Sequence, residues 1–223
     1  MKKIALITGA GKGIGFALAQ KLLQEGFFVI GTCRSGQISG FAHPDFVVLP
    51  LDLGERESIL QAHKAIREQF GALDILINNA GIGPDLDTYQ PDETTFAQTF
   101  DVNVKGTVFF TEPLIGQIRD GGMILNISSK MGSLELCALT DSIAYRMSKS
   151  ALNMYTKILT NRLKGRVKVA AVHPGWVITT LTKGNVHARL TPAESTNRIY
   201  AFLKSDFASG VFWDAETQRA LPW

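Results

Sequence analysis

The stretch Ile4-Ala5-Leu6-Ile7-Thr8-Gly9-Ala10-Gly11-Lys12-Gly13-Ile14-Gly15 decides how the rest of the chain is read. Its four apolar leading residues carry no polar interruption, the pattern of a strand buried on both faces. A glycine-rich loop follows at once and opens into Ile14–Glu25, where apolar residues return at helical spacing. In that order, strand, loop and helix form an anion cradle. Glycine lets the backbone approach a phosphate with no Cβ in the way, and the helix N-terminus adds free N–H groups and partial positive charge. The spacing is not GxGxxG, because Phe16 stands where the third glycine would fall. It is GxxxGxG, with Gly9, Gly13 and Gly15 as its glycines. A glycine turn with no ligand is the plainer reading, and the strand–loop–helix context weighs against it.

Outward from this unit, short apolar runs alternate with longer amphipathic ones. Strands are expected at Phe27–Thr32, Phe46–Pro50, Leu73–Ile77, Met123–Ile127 and Val167–Val172, with a last edge strand at Val211–Trp213. Helices are expected at Glu55–Phe70, at Ser142–Leu163, and at Thr191–Leu203 behind the start signal Thr-Pro-Ala-Glu. A long helical stretch, Glu93 to Arg119, is expected to kink or break at Pro113. Apolar strands separated by helices imply an α/β fold: a single-domain doubly wound parallel sheet, Rossmann-like, with helices on both faces. One domain over 1–223 is expected, and ligands of this class bind beyond the carboxyl ends of the strands.

Composition narrows the function. With 223 residues, 45% hydrophobic and 19% charged, the chain has enough apolar material to fold around one core without disulfide or metal. The net charge of +3 comes from scattered basic residues, which makes no case for nucleic acid. Cys33 and Cys137 lie in no CxxC spacing, and His43, His63, His173 and His187 show no metal spacing. The apolar start breaks at Thr8-Gly9 and is followed by Lys12, so no signal peptide is read there. No apolar run approaches the ~20 residues of a membrane span. The expectation is a cytoplasmic protein with neither metal, membrane nor nucleic-acid partner.

The second strand sets the cofactor. Enzymes that use NAD place an acid at its end, about 20 residues past the loop, to accept the ribose 2′-hydroxyl. Here the strand ends Gly31-Thr32-Cys33-Arg34, with no acid before Asp45. A guanidinium grips a 2′-phosphate bidentately, and Lys12 in the loop adds a second cation. Against the reading of both as solvated surface charges, their two positions favour NADP(H).

Tyr145 and Lys149 are four residues apart in an expected helix and so share a face. A neighbouring ammonium favours the phenolate and pulls a tyrosine pKa down from near 10. Alone the pair is weak, since an interface tyrosine beside a solvated lysine looks the same. Further segments follow the strands: Asn78-Asn79-Ala80-Gly81, Ser128-Ser129-Lys130-Met131-Gly132 and Pro174-Gly175-Trp176-Val177-Ile178-Thr179, with Asn103-Val104-Lys105-Gly106 in the long helix. In this order, and with the glycine loop, they resemble the short-chain dehydrogenase/reductase family over nearly the whole chain. The insert at 134–141, His173-Pro174-Gly175-Trp176 and the end Leu221-Pro222-Trp223 are similar to its small carbonyl reductases and C-factor-like members.

The resemblance implies an NADPH-dependent oxidoreductase that reduces an aldehyde or ketone to an alcohol. It implies that Ser129 orients the carbonyl, Tyr145 passes it a proton, Lys149 lowers the tyrosine pKa and binds the nicotinamide ribose, and Asn103 holds a water in a relay to Lys149. Gly9, Lys12, Gly13, Ile14 and Gly15 would hold the pyrophosphate side, with Arg34 on the phosphorylated ribose and Asp52 by the adenine. Asn79, Ala80 and Gly81 would pack on the adenosine side, and Pro174, Gly175, Val177 and Thr179 would hold the carboxamide. It also implies a homodimer or homotetramer packed through the helices near Asn103 and Tyr145.

Two departures stand out. Ser129 and Tyr145 are separated by a longer gap than is usual, which the insert Leu134 to Asp141 fills as an expected part of the substrate wall, and which leaves Ser128 as an alternative to Ser129. The expected cover, around 180–203, is short and basic, with Lys183, His187 and Arg189. Either it leaves an open site or it is a solvated loop. Two other classes were weighed: a non-catalytic nucleotide-binding signalling or sensor protein on the same fold, and a sugar-nucleotide epimerase. All four residues of the tetrad are retained, which argues against the first. Only a short stretch follows Thr179, which argues against the second.

Overall fold

The alternation of apolar residues within each strand explains how the molecule is layered. In the computed structural model, which describes residues 2–181 and 188–223, β1 (Ile4–Ile7) turns Ala5 and Ile7 to one face and Leu6 to the other. The same division holds in β2 (Phe28–Cys33), with Val29 against Ile30, and in β4 (Leu73–Asn78), with Ile75 and Ile77 against Leu76. Both faces are covered, so no polar side needs to show in the sequence. On the Ala5 face lie α1 (Gly13–Gln24) and α6 (Pro192–Lys204), through Leu18, Leu22, Ile199 and Phe202. On the Leu6 face lie α2 (Arg56–Gln69) and α5 (Ile143–Arg162), through Ile59, Ile66, Leu152 and Leu159.

Eight strands form one sheet in the order β3-β2-β1-β4-β5-β6-β7-β8. The remaining strands are β3 (Phe46–Pro50), β5 (Ile118–Ile127), β6 (Lys168–His173), β7 (Val211–Asp214) and β8 (Arg219–Ala220). All neighbouring pairs are parallel except β7 with β8. The chain order reverses between β1 and β4, and the crevice at their carboxyl ends is where this architecture takes ligands. The expected doubly wound, single-domain sheet is therefore present.

Three expectations need correction. The long helix Glu93–Arg119 is not continuous. It divides into α3 (Glu93–Phe100), a π-helical turn at Asp101–Gly106, α4 (Thr107–Thr111) and a 3₁₀ segment at Glu112–Gln117 that contains Pro113. Ile118 and Arg119 already belong to β5, which begins five residues before the expected Met123. A bulge hid that start: Leu73 pairs with Ile118 but Ile75 pairs with Met123, and Gly121 takes a φ of +79° between them. Nor is β7 an edge. The carboxylate of Asp214 accepts N–H bonds from Glu216 and Thr217, turning the chain back so that β8 covers it.

The expected cover over 180–203 also divides. Lys183 and His187 lie outside the described residues. Arg189 pairs with Glu216 at 3.1 Å, and 192–204 is the core helix α6, closed by a capping box between Thr191 and Glu194. Ile199, Phe202 and Leu203 of that helix are buried in the core.

A polar chain crosses the otherwise apolar layer between β4, β5 and α5. Asn78 Nδ2 donates to Thr111 Oγ1 (2.9 Å) and to Asn126 Oδ1 (2.8 Å), and Asn126 Nδ2 donates to Thr156 Oγ1 (2.8 Å). Thr156 passes its own hydrogen to Leu152 O at 2.9 Å. Removing one hydroxyl strands a buried donor, which costs about 1–3 kcal/mol. Thr156→Val is expected to lower unfolding free energy by about that amount in denaturant titration, whereas Thr156→Ser, which keeps the hydroxyl, should lose less.

Candidate active site

The glycine loop is held by the two strands that flank the switch point. Thr8 Oγ1 accepts the backbone N–H groups of Asn79 and Ala80, each at 3.0 Å. Asn79 Nδ2 returns bonds to Thr8 O (2.9 Å) and Gly9 O (3.2 Å). Gly9 and Gly13 take φ of +68° and +57°, a region that a side chain resists. At Gly15 the restriction is contact: a Cβ would lie 2.2 Å from Gly9 O and 2.4 Å from Asn79 Nδ2. No larger residue fits there while Asn79 keeps its bonds, so backbone and not side chain faces the crevice at this point of the first helical turn.

Ala10 N donates to Thr32 O at 2.7 Å, and Gly11 lies against Cys33, so the loop adjoins the end of β2. Lys12 and Arg34 issue from these two segments. Both are exposed, and neither has a carboxylate partner among the described residues. Asp52, two residues beyond β3, is half-buried and spends one oxygen on Gly54 N at 3.0 Å. Across from the loop, Thr179 Cγ2 stands 3.6 Å from where a Cβ on Gly13 would be. Val177 is buried in a bridge to Leu190, Pro174 O accepts from Ser195 Oγ at 2.6 Å, and Gly175 has a φ of +90°. A cradle of backbone donors, two unpaired cations and a facing Thr179 fits a phosphorylated dinucleotide laid along the strand ends.

At the other end of the crevice the proton-transfer candidates meet. Tyr145, in the first turn of α5, is 7% exposed, and the Ser129 side chain lies near enough to its hydroxyl to pull the phenol pKa down. Ser128 turns away: its hydroxyl donates to Asn153 Oδ1 at 2.7 Å in the core. Of the two serines, Ser129 is therefore the one beside Tyr145. Lys149 Nζ lies 5.6 Å from the Tyr145 ring centre and donates to Ile127 O at 2.9 Å. Asn103 sits in the π-helical turn at 1% exposure. It clasps Ile82, accepting from Ile82 N and donating to Ile82 O, both at 2.8 Å, and gives its other amide hydrogen to Ser148 Oγ at 3.1 Å. Gly81 is where these converge: a Cβ there would lie 3.2 Å from Asn103 Oδ1 and 3.6 Å from Lys149 Nζ.

The electrostatics differ from the expectation that Lys149 lowers the tyrosine pKa. Burial pushes the Tyr145 phenol up to about 12; Ser129 pulls the other way and Asp85 adds to the rise. Burial brings the Lys149 ammonium down to about 8. With Nζ turned to the Ile127 carbonyl, loss of solvent outweighs the attraction between ammonium and phenolate. Asn103 commits its side chain to Ile82 and Ser148.

Several residues here carried no assignment from sequence. Thr8 is one; its only signal in the sequence is a hydroxyl at the very end of an apolar strand. Gly83 was not singled out, although a Cβ there would stand 2.9 Å from Tyr145 Cδ2. Asp85 gave no signal at all. It is 6% exposed and accepts the Tyr145 backbone N–H through Oδ2 at 3.2 Å. The insert is rooted where Leu134 N and Glu135 N donate to Trp223 O. With Met131, Arg146 and Met147 it lines a hollow of about 280 Å³.

Residues 3–190 match the family model described as short chain dehydrogenase. An uncharacterised oxidoreductase of Methylorubrum extorquens is 31% identical over 186 residues, spanning 79% of this chain and 74% of its own. Another, from Staphylococcus aureus strain N315, is 33% identical over 190 residues, spanning 81% and 80%. Among solved structures, an NADPH-bound carbonyl reductase from chicken fatty liver superposes with a TM-score of 0.90 at 26% identity, over 100% of this chain and 94% of that one. A short-chain dehydrogenase/reductase of Burkholderia multivorans with bound NADP does so with a TM-score of 0.86 at 26% identity, over 100% of both chains. With the family match running from β1 past the Tyr145–Lys149 pair, the chain belongs to the short-chain dehydrogenase/reductase family of oxidoreductases.

Proposed function

We propose that the chain reduces a small aldehyde or ketone to an alcohol with NADPH, Tyr145 giving the proton. One observation carries this reading: the buried Tyr145 stands beside Ser129, with Lys149 Nζ 5.6 Å from its ring along the same helix, at the carboxyl ends of strands whose first loop is a phosphate cradle. NADPH, when bound, supplies the hydride to the carbonyl carbon. Negative charge then builds on the carbonyl oxygen, and donors already in place stabilise it without reorganising. Ser129 and Tyr145 are such donors, and a phenol held near 12 is protonated throughout the neutral range. Lys149 carries positive charge below about pH 8, beside the position of the nicotinamide ribose. Gly9, Gly13, Ile14 and Gly15 line the cradle for the pyrophosphate. Asn79, Ala80 and Gly81 form its inner side, Asp52 its adenine end, and Pro174, Gly175, Val177 and Thr179 the wall beside the carboxamide. Asn103 contributes by fixing Ile82, and with it the loop under Tyr145.

NADPH is favoured over NADH because Arg34 and Lys12 are unpaired cations where the 2′-phosphate falls, and because the chicken and Burkholderia multivorans structures hold NADPH and NADP. Assembly as a homodimer or homotetramer belongs to the same proposal: Met147, Met154 and Ile158 form an exposed apolar stripe along α5.

Tyr145→Phe removes only the hydroxyl and is expected to cut kcat/KM for carbonyl reduction by about 10²-fold or more while leaving NADPH binding intact. Turnover unchanged in that protein would contradict the mechanism. Arg34→Asp should lower the ratio of NADPH to NADH efficiency at least about tenfold, roughly 1.4 kcal/mol; an unchanged ratio would remove Arg34 from the site. The pH profile follows from Lys149. Its ammonium, disfavoured by burial, is present below about pH 8 and lost above it, so kcat/KM for NADPH should be level at lower pH and fall as pH rises through about 8. Lys149→Arg, charged at every accessible pH, should abolish that limb.

A further inference from the structure

Asp85 stands in the loop after β4, outside every segment that marks the family. The residue is 6% exposed. Oδ2 accepts the Tyr145 backbone N–H at 3.2 Å, and Oδ1 has no hydrogen-bond partner among the described residues. A buried carboxylate that spends only one oxygen is expensive, and such a group persists where its charge is used.

The surrounding contacts point at Tyr145. Helix α5 lacks a cap of its own: Ser142 takes a φ of +56° and its side chain makes no cap bond to the helix. Asp85 supplies the missing acceptor from another element, at the third residue of the helix, where an N–H would otherwise be left over. The same loop adds two clamps, Asp87 N to Ser142 Oγ (3.0 Å) and Ser142 N to Thr88 O (2.8 Å), while Gly83 lets the loop close on the Tyr145 ring. Free N–H groups in a first turn present partial positive charge, which favours a phenolate; a carboxylate taking one of them cancels that field and favours the phenol.

We propose that Asp85 is a positioning residue for the reaction: it ties the first turn of α5 to the loop after β4 and keeps Tyr145 a proton donor by setting a negative charge against it. The inference rests on the reading of Tyr145 as proton donor given above. The groups facing Tyr145 are Asp85 from the loop, Ser129 from the end of β5 and Lys149 from α5 itself. Arg146, next along the helix, is held by Asp141 at 2.9 Å. The rise of the phenol pKa, to which the Asp85 charge contributes, agrees in direction. Lys149 Nζ donates to Ile127 O at 2.9 Å. The consequence is that the phenol, which reduction needs, persists to higher pH, and the phenolate, which oxidation needs, forms only at higher pH.

Asp85→Asn keeps an oxygen to accept the Tyr145 N–H and removes the charge, and Asp85→Ser does the same with a smaller group should the amide disturb folding. Each is compared with wild type in the NADP⁺ complex by tyrosinate absorbance, taken as the difference from its own Tyr145→Phe derivative so that only Tyr145 is read. The expected result is ionisation of Tyr145 at lower pH by about one unit, a tenfold larger phenolate fraction at a given pH. The pH limb of alcohol oxidation should move by the same amount. An ionisation onset that does not move, or that is absent from both proteins, overturns the proposal. The absorbance reading needs no turnover, so a chain that reduces no carbonyl would sink the proposed function and still leave the Asp85 inference to be judged on its own.

Discussion

Burial on both faces of the sheet is the constraint from which the rest follows. Strands β1, β2, β4, β5 and β6 send alternate residues into two apolar layers, and neither layer has room for an unpaired charge. Polar chemistry is therefore confined to the rim where strands end and helices begin. At the point where chain order reverses, Thr8 and Asn79 stitch the ends of β1 and β4 together by four hydrogen bonds between 2.9 and 3.2 Å. That stitch gives the glycine loop its shape, and the missing Cβ of Gly15 is its direct result.

The same constraint tunes the proton-transfer group. Tyr145 and Lys149 are each at least nine-tenths buried, so each feels desolvation before it feels its neighbours. Desolvation moves the phenol up and the ammonium down, to about 12 and about 8. A phenol that keeps its proton suits a donor to an oxygen gaining charge, and a lysine that loses its charge only near pH 8 keeps its field at neutral pH. In this structure burial raises the phenol pKa, with Asp85 adding to the rise and Ser129 opposing it.

Legibility in the sequence followed from how local each feature is. The strand–glycine–helix opening, the apolar strands and the Tyr145–Lys149 spacing depend on near neighbours, and the elements stand close to where periodicity put them. The stretch from Glu93 to Arg119 read as one helix because its apolar spacing is helical throughout, while the π-helical turn and the bulge at Gly121 arise from contacts with other elements. Gly106 shows why: a Cβ there would come within 2.1 Å of Leu53 O, a tertiary approach that no local pattern encodes. Asp85 was invisible for the same reason. Its importance lies in a bond to a residue sixty positions away. Ser129 was separable from Ser128 only once Asn153 was seen to take the latter.

Under the proposed function, this rim binds NADPH and uses it to reduce a carbonyl. The initial rate at which the wild-type protein consumes NADPH, and in parallel NADH, is measured by absorbance against a panel of aldehydes, ketones, diketones and quinones. Consumption is expected with at least one carbonyl, stoichiometric with alcohol formed, and faster with NADPH than with NADH. A protein whose melting temperature rises with NADPH, yet which consumes none with any carbonyl, would contradict it and leave a nucleotide-binding protein without this chemistry.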